Sequence, residues 1–335
     1  MMRRMTIAAA AAAIIPIFIF SLPRSGSTLT QRMLATHPDI ETAGEPWLLL
    51  PFLYTRRRQG IYAEYAHRTV YRAIGEFCDG LPGGSDEYLG EIRAMALRLY
   101  RARAGERARF FVDKSPRYHV IASDIVDLFP EGRFIFLWRN PLAVISSMIE
   151  TWGKGRWNVY HYEFDLYEGV AALVDAQRRA GPSGCAIRFR DVVDGSMSAM
   201  RQVFDYLGLE LDDERTRRFA EVELPGGMWD PSGTRRYHKL SQEPRERWKT
   251  TLAGPLRKRW SRRYLRWLGR ERLAEMGYDL DELLGELDAI PTRYGTLISD
   301  AWRMLLGPLI RALEPWLMRD KIGRLARRER LYFVR

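Results

Sequence analysis

Three basic residues, Arg24, Lys114 and Arg139, stand where a protein of this sequence would act on an anion. Each follows a short apolar run typical of a buried strand, as Phe110 to Val112 precedes Lys114. The carboxyl ends of parallel strands meet at one edge of a sheet, and ligands gather there. Cations placed beyond such ends are expected to converge, and their convergence predicts an anion site.

The segment PRSGSTL, residues 23–29, has the composition of a phosphate-binding loop. It follows an apolar run and leads into a predicted helix, so backbone N–H groups and the positive end of a helix dipole would surround one point. Ser25, Ser27 and Thr28 add hydroxyl groups around Gly26. The Walker A pattern is absent, because no lysine follows the glycine. An ordinary strand-to-helix turn, capped by one of the serines, is the alternative.

Two further residues are candidates for the same site. Glu45 lies in HPDIETAGEP, residues 37–46, ahead of an apolar run; taken alone, it is a carboxylate favourable at a helix N-terminus. Ser147 comes eight residues after Arg139, which is about two helical turns. The pair could hold an anion together if their helix begins at the same edge. Otherwise Ser147 is a helix hydroxyl bonded to a preceding carbonyl.

Strands and helices alternate along the chain. A helix is predicted at residues 120–129, and another opens at the RNP sequence of 139–141. A strand at 184–194, with Phe189 near its end, leads into a further helix. Such alternation predicts an α/β fold with a central parallel sheet and helices on both faces.

The chain is predicted to divide near residue 290. Residues 1–290 would form the α/β domain, with a helical insert at about 47–105. The loop at 223–246 is rich in glycine, proline and basic residues, and is predicted to close over a bound anion as a lid; a solvated basic loop is the alternative. The basic residues proposed to touch the anion are Arg235, Arg236 and Lys239.

The C-terminal extension, residues 291–335, is amphipathic and basic. Its leucines and tryptophans recur on one helical stripe, and ten basic against four acidic residues give it +6 of the total charge of +11. It could lie on an anionic membrane surface, or pack against the body or a second subunit, as in a homodimer. Pro308 and Pro315 would divide it into short segments.

Composition limits the partners. Of the 53 basic residues, 47 are arginine, which favours a nucleotide, a phospholipid surface, an acidic polymer or nucleic acid. Nucleic acid is not expected, because aromatic residues do not alternate with the basic loop. Two cysteines without metal-ligand or disulfide spacing predict a reducing compartment and no metal. The apolar run at 5–20 is short for a membrane span, so a cytoplasmic protein, peripheral to a membrane at most, is predicted.

Aromatic residues are concentrated in two places. Residues 152–167 are dense in aromatic and polar side chains without a clean period, which predicts a wall for an acceptor molecule or, equally, buried packing. Tyr62, Tyr65, Tyr71 and Phe77 recur at helical spacings and are predicted to be core rather than ligand contacts.

Taken together, the motifs resemble those of sulfotransferases that use 3′-phosphoadenosine 5′-phosphosulfate (PAPS), especially the bacterial and tyrosylprotein-type branch. The matching segments are PRSGSTL (23–29), HPDIETAGEP (37–46), DKSPRY (113–118), LFPEGRFIFLWRNPLAVISS (128–147) and, less closely, IRFRDVV (187–193). The resemblance implies a P-loop-type fold of three layers, PAPS as donor, 3′-phosphoadenosine 5′-phosphate (PAP) as product, and no metal. It also implies in-line transfer of a sulfuryl group to a hydroxyl of a glycan, a lipid-linked acceptor, a peptide tyrosine or a small metabolite.

The resemblance assigns roles by position. The 5′-phosphosulfate falls to six loop residues: Arg24, Ser25, Gly26, Ser27, Thr28 and Leu29. Arg139 and Ser147 fall on the 3′-phosphate. Phe189 lies where relatives often have a tyrosine beside the adenine, so stacking remains possible and a hydrogen bond does not. Glu45 falls on the general base of the tyrosylprotein-type enzymes, while Lys114 and Arg24 supply positive charge at the leaving group.

Two other classes stay open at this point. One is a P-loop kinase or nucleotide hydrolase, against which the missing Walker lysine counts. The other is a non-catalytic protein that binds a membrane surface through its basic extension. Beyond residue 210 the resemblance fades.

Overall fold

A computed structural model describes residues 13–58, 66–224 and 247–314, with 318, 319, 322, 323, 326 and 327. Its centre is a sheet of five strands in the order β2-β3-β1-β4-β5, and every pairing is parallel. The strands are β1 (Ile15–Phe20), β2 (Ile40–Thr42), β3 (Phe110–Asp113), β4 (Arg133–Trp138) and β5 (Gly184–Arg188). The predicted parallel sheet is confirmed.

The strands are apolar throughout because both faces of the sheet are covered. Successive side chains of β1 point to opposite faces, so Phe18 and Phe20 enter one core while Ile17 and Ile19 enter the other. Phe18, Phe20 and Phe134 lie in stacked orientations, with ring centroids 6.0 to 6.1 Å apart. Two separate cores require helices on both sides of the sheet.

Helices supply those outer layers, and the three-layer α/β architecture is confirmed. Within the described residues they are α1 (Ser27–Leu34), α2 (Leu50–Tyr54), α3 (His67–Asp79), α4 (Gly84–Arg103), α5 (Ala122–Leu128), α6 (Pro141–Gly153), α7 (Val170–Ala180), α8 (Phe189–Val192), α9 (Ser198–Leu207), α10 (Asp213–Arg217), α11 (Arg247–Thr251), α12 (Pro255–Glu275), α13 (Leu280–Ala289) and α14 (Leu297–Leu313). The core on the Ile17 side includes α1, α8 and α9, and the core on the Phe18 side includes α4 to α7 and α11 to α13.

Three local expectations differ from the structure. Strand β2 was not predicted, because it has only three residues and its central residue, Glu41, is exposed. Its backbone pairing with β3 stabilises it. Phe189, expected within a strand, begins α8 one residue after β5 ends. Phe77, expected in the core, has 65% of its surface exposed on α3.

Helices α2 to α4 lie in the segment between β2 and β3, where the insert of about 47–105 is predicted. The lid candidates Arg235, Arg236 and Lys239 lie outside the described residues, and their role stays a prediction. In the part of the chain that the structure covers, no helix is both long and apolar enough to span a membrane.

Candidate active site

Each of the five strands delivers one candidate residue at its carboxyl end. In sheet order these are Glu45 beyond β2, Lys114 beyond β3, Arg24 beyond β1, Arg139 beyond β4 and Phe189 beyond β5. The three cations follow the three central strands, so the structure brings them to one edge as the sequence predicts. Glu45 lies three residues beyond β2 and five before α2. The short strand β2 therefore places Glu45 at the same edge as the three cations.

Lys114 and Glu45 form an ion pair at one end of this row. Lys114 Nζ lies 2.7 Å from Glu45 Oε1, and only 2% of the lysine and 12% of the glutamate side chain are exposed. The same ammonium donates to Thr28 Oγ1 over 3.3 Å. Lys114 therefore connects the carboxylate to the first turn of α1, which is the helix of the predicted phosphate loop.

The loop before α1 has the backbone of an anion site. Arg24 and Gly26 have φ angles of 70° and 95°, a left-handed conformation that glycine adopts without strain. The first backbone bonds of the helix run from Leu29 and Thr30 to Gly26 O, so the N–H groups of Ser27 and Thr28 precede them. Gly26 is the N-cap and no side chain caps α1, so the alternative of a serine-capped turn is not what the structure has.

Arg139 fixes the loop from the next strand. Its guanidinium NH1 donates to Arg24 O over 2.6 Å, and Arg24 Nε donates to Ser147 Oγ over 3.3 Å. Helix α6 begins at Pro141, with Asn140 Oδ1 accepting from Leu142 N–H over 2.9 Å. Ser147 therefore faces the loop from two turns along α6, and the geometric condition for joining Arg139 at one site is met.

Phe189 supports the loop from below. Its ring is 2% exposed, and the Arg139 guanidinium carbon lies 4.8 Å from its centroid. A Cβ at Gly26 would lie 2.2 Å from Phe189 Cε2, so no larger residue fits there. Because the ring is already covered by protein, stacking on an adenine stays a prediction; the observed role is to pack against the loop and Arg139.

Asp113, the last residue of β3, is buried next to Lys114 and accepts several hydrogen bonds. The sequence analysis did not single it out. Tyr100 and Tyr118 donate to its Oδ2 over 2.6 and 3.0 Å, and Ser115 donates to Oδ1 over 3.2 Å. Burial raises the pKa of Asp113 to about 6, against the opposing effect of these donors and of Lys114. Burial also raises the pKa of both tyrosines, so their hydroxyls stay protonated as donors.

Ser115 and Tyr118, which donate to Asp113, also accept hydrogen bonds from the segment that carries Glu45. Trp47 N–H donates to Ser115 Oγ over 2.9 Å, and Leu49 N–H donates to Tyr118 Oη over 3.0 Å. Trp47 has a φ of 55°, and its indole N–H reaches Glu45 Oε2 over 3.4 Å. Both carboxylate oxygens of Glu45 thus have a donor, one from Lys114 and one from a tryptophan positioned through Asp113.

Arg139 also lines a cavity. Its remaining lining residues are Asn140, Ala143, Phe189, Arg190, Trp248, Tyr278, Glu282, Leu283 and Glu286. Trp248 and Tyr278 come from beyond residue 210, where no motif signalled them. The cavity combines aromatic surface with two arginines beside the loop.

The aromatic segment of residues 152–167 contacts Arg24 through Trp152. The Arg24 guanidinium carbon lies 5.8 Å from the centroid of the Trp152 ring, and Tyr162 packs on Trp152 at 4.5 Å. Trp152 and Phe164 are 43% and 42% exposed, whereas Trp157 is buried. The segment therefore contains both exposed rings beside the loop and the predicted buried packing, and its role as a wall for an acceptor stays a prediction.

Within the described ranges, no group of three His, Cys, Asp or Glu side chains could hold a metal ion. Both cysteines, Cys78 and Cys185, are free and buried.

Comparisons with known proteins identify the family. The Sulfotransferase family matches residues 16–213. The chain is 32% identical over 236 residues to nodulation protein NoeE of Sinorhizobium fredii, covering 64% of this chain and 50% of that protein. It is 29% identical over 221 residues to a protein-tyrosine sulfotransferase of Drosophila melanogaster, covering 63% and 42%. The solved sulfotransferase domain from the curacin biosynthetic pathway aligns with a TM-score of 0.48 at 22% identity, over 72% of this chain and 92% of that one.

The chain spans about half the length of these curated relatives, or less. The family match nevertheless covers more than half of the 335 residues and runs from the start of β1 past α9. All five candidates at the carboxyl ends of the strands lie within it. The chain therefore belongs to the Sulfotransferase family.

Proposed function

We propose that this protein transfers a sulfuryl group from PAPS to an acceptor hydroxyl. The observation that carries the proposal is Lys114, which contacts the Glu45 carboxylate at 2.7 Å and the first turn of the phosphate loop's helix at 3.3 Å. A base and a cation thus lie side by side at the loop. In-line displacement needs this combination, because one group removes the acceptor's proton while the other stabilises charge on the leaving oxygen.

The residues present fit the donor. The N–H groups at the start of α1 and the side chains of Arg24 and Thr28 suit a 5′-phosphosulfate, and Arg139 with Ser147 suits a 3′-phosphate. The cavity lined by Trp248, Tyr278 and Arg190 adjoins Arg139 and suits the adenosine. PAPS would supply an activated sulfuryl group whose bond to phosphate breaks on transfer. The glycine at position 26 leaves the backbone close to Phe189 and to the bound group.

The protein's own groups perform the remaining steps. Glu45 accepts the proton of the acceptor hydroxyl as that oxygen bonds to sulfur. Lys114 and Arg24 offset the negative charge that develops on the oxygen left with the phosphate. Trp47 holds the second oxygen of Glu45, which keeps the first one toward Lys114. The exposed ring of Trp152 beside Arg24 offers a surface for the acceptor.

The acceptor is proposed only to be a compound with a hydroxyl group. A cytoplasmic location is proposed as well. The Drosophila relative is a protein-tyrosine sulfotransferase by name, which supports a hydroxyl acceptor without choosing a phenol over a sugar. The kinase or hydrolase alternative has no observation in its favour, because no Walker lysine follows Gly26 and Lys114 is engaged with Glu45. A homodimer stays a prediction.

Two measurements test the proposal. Calorimetric titration of the full chain should show binding of PAP, and ATP with Mg²⁺ should bind far more weakly because it lacks a 3′-phosphate. Labelled PAPS should then transfer its label to at least one member of an acceptor panel of phenols, sugars and lipid-linked hydroxyls. Equal affinity for PAP and for ATP with Mg²⁺ would contradict the assignment of Arg139 and Ser147 to the 3′-phosphate, and absence of PAP binding would refute the function.

A further inference from the structure

Helix α14 has apolar residues on both of its faces. Met304 and Ile310 pack against the core and Asp300 is buried, while a second row of apolar residues faces outward. A surface helix that only packs on a core and faces water has one apolar face. It contains 17 residues and is therefore about 25 Å long. Its two faces require separate explanations.

The inward face attaches the helix to the body. Asp300 is fully buried and forms two hydrogen bonds with Arg257 of α12, at 2.7 and 2.8 Å. Gly307 packs on Tyr160, where a Cβ would lie 2.5 Å from the ring. Arg311 pairs with Glu163 at 2.6 Å. These contacts fix which side of α14 faces outward.

The outward face is a continuous apolar stripe. Its members follow one another at intervals of four, three, four and four residues, and their exposed fractions lie between 54% and 86%. They are Ile298, Trp302, Leu305, Leu309 and Leu313. Asp300 and Gly307 lie on the opposite side of the helix, as the helical period requires. A stripe of this length in water marks a binding surface.

Charge decides what covers the stripe. The extension of residues 291–335 has ten basic and four acidic residues, and Asp300, the acidic residue of α14, is buried against Arg257. Two copies of the chain pairing through this helix would bring two segments of charge +6 together, whereas an anionic surface neutralises them. Trp302 within the stripe and Tyr294 just before the helix, both exposed, are residue types that favour the boundary of a bilayer.

We infer that α14 is an interfacial helix that docks the protein on an anionic phospholipid bilayer, with the apolar stripe among the acyl chains and the net positive charge of the extension attracted to the anionic head groups. The helix does not span the membrane but lies on it. Apolar burial supplies part of the affinity, and attraction to anionic head groups supplies the rest.

The docked helix is joined to the acceptor side of the site. Tyr160, on which Gly307 packs, lies two residues before Tyr162, and Tyr162 packs on Trp152 beside Arg24. These contacts connect the docked helix to the segment that carries the exposed aromatic rings. If the proposed function holds, docking through α14 brings the site to the same bilayer as acceptors carried there. The membrane contact itself does not depend on catalysis.

Vesicle co-sedimentation of the full chain tests the inference. Wild type should bind vesicles of phosphatidylcholine with 30% phosphatidylserine, and should bind phosphatidylcholine alone at least ten-fold more weakly. The triple variant Ile298→Ser, Leu305→Ser, Leu309→Ser should lose on the order of 100-fold in affinity for the anionic vesicles, because three apolar side chains no longer insert. Arg303→Gln with Arg319→Gln should reduce the preference for anionic lipid several-fold.

A matched control removes equally exposed apolar residues elsewhere. Phe77→Ser with Leu99→Ser, on α3 and α4, should bind the same vesicles as wild type does. Equal loss in this control, retained binding in the triple variant, or no preference for anionic lipid would overturn the inference. So would a dimer that the triple variant dissociates without any vesicle binding, since the covering partner would then be a second copy.

PAP titration of the triple variant separates the two proposals. Its PAP affinity should equal that of wild type, because no residue of the stripe belongs to the candidate site. If the protein binds vesicles but not PAP, the proposed function is refuted and the docking role of α14 is retained. If it binds PAP but not vesicles, the docking role is refuted and the proposed function is retained.

Discussion

Replacing Asp113 with asparagine tests whether a charged, buried carboxylate underlies the site, through the pH dependence of stability. Burial raises the pKa of Asp113 in the folded protein from 3.8 to about 6, so between these values the native state holds a proton that the unfolded chain has lost. The group's contribution to stability is therefore fully present below about pH 4, is lost as pH rises to about 6, and is constant above that. Asparagine does not titrate, so Asp113→Asn lacks this dependence.

The magnitude follows from the same two values. A difference of about two pH units, at 1.36 kcal/mol for each, corresponds to about 3 kcal/mol. We expect the free energy of unfolding of wild type minus that of Asp113→Asn to decrease by about this amount between pH 4 and pH 7. At pH 7 the amide accepts fewer hydrogen bonds than the carboxylate does from Tyr100, Tyr118 and Ser115, so the segment holding Glu45 should be less well fixed.

Urea unfolding at half-unit steps from pH 4 to pH 8 measures the difference, and Asp205→Asn, an exposed carboxylate on α9, is the control that should show no such trend. At pH 7.5 Asp113→Asn should retain PAP affinity and lose kcat by at least about ten-fold, because Asp113 acts on Glu45 through Ser115 and Trp47. A stability difference that stays constant with pH, or that grows as pH rises, refutes the assignment of a raised pKa. Unchanged kcat refutes the positioning role.

Three further substitutions test individual parts of the site. Glu45→Gln should lower kcat by about 10²- to 10⁴-fold with PAP affinity within about three-fold of wild type, while the exposed neighbour Glu41→Gln should leave both unchanged. Arg139→Ala should weaken PAP binding in calorimetric titration more than it weakens ADP binding, since it removes a cation from the 3′-phosphate. Gly26→Ala should destabilise the protein by about 1–2 kcal/mol for its positive φ, plus the overlap with Phe189. In urea unfolding, the cost of Gly26→Ala measured in a Phe189→Ala background should be smaller by the overlap alone.

The central strands and their cations could be predicted because the signals are local. Each apolar run is read within a few residues, and the carboxyl-end rule then places Arg24, Lys114 and Arg139 on one edge without any knowledge of contacts. Asp113 could not be found this way. Its importance arises from Tyr100, thirteen residues earlier on α4, and from complete burial, neither of which is encoded in the DKSPRY motif alone.

Strand β2 is a second feature that the sequence alone did not predict. Three residues carry too little pattern to predict a strand, yet the position of Glu45 depends on them. Phe189 was predicted at the right edge, but its burial under Gly26 results from packing between β5 and the loop. Residues whose roles depend on partners distant in sequence were therefore the ones that the structure had to supply.

Helix α1 joins the two halves of the proposed reaction. Its N-terminus forms the phosphate loop, and its Thr28 accepts from Lys114. From the same helix, the Nε2 of buried Gln31 lies 2.8 Å from Thr42 Oγ1, 2.6 Å from Ala43 O and 3.0 Å from Gly44 O, so its two hydrogens are shared among the three residues that directly precede Glu45.

Thr42 in turn donates to Val112 O of β3 over 2.9 Å. Glu45 and Lys114, the proposed base and leaving-group cation, are thus positioned by contacts to the helix whose first N–H groups would receive the donor's phosphate. Helix α1 is short and packed along its whole length, so the predicted phosphate site and Glu45 are fixed to one rigid support.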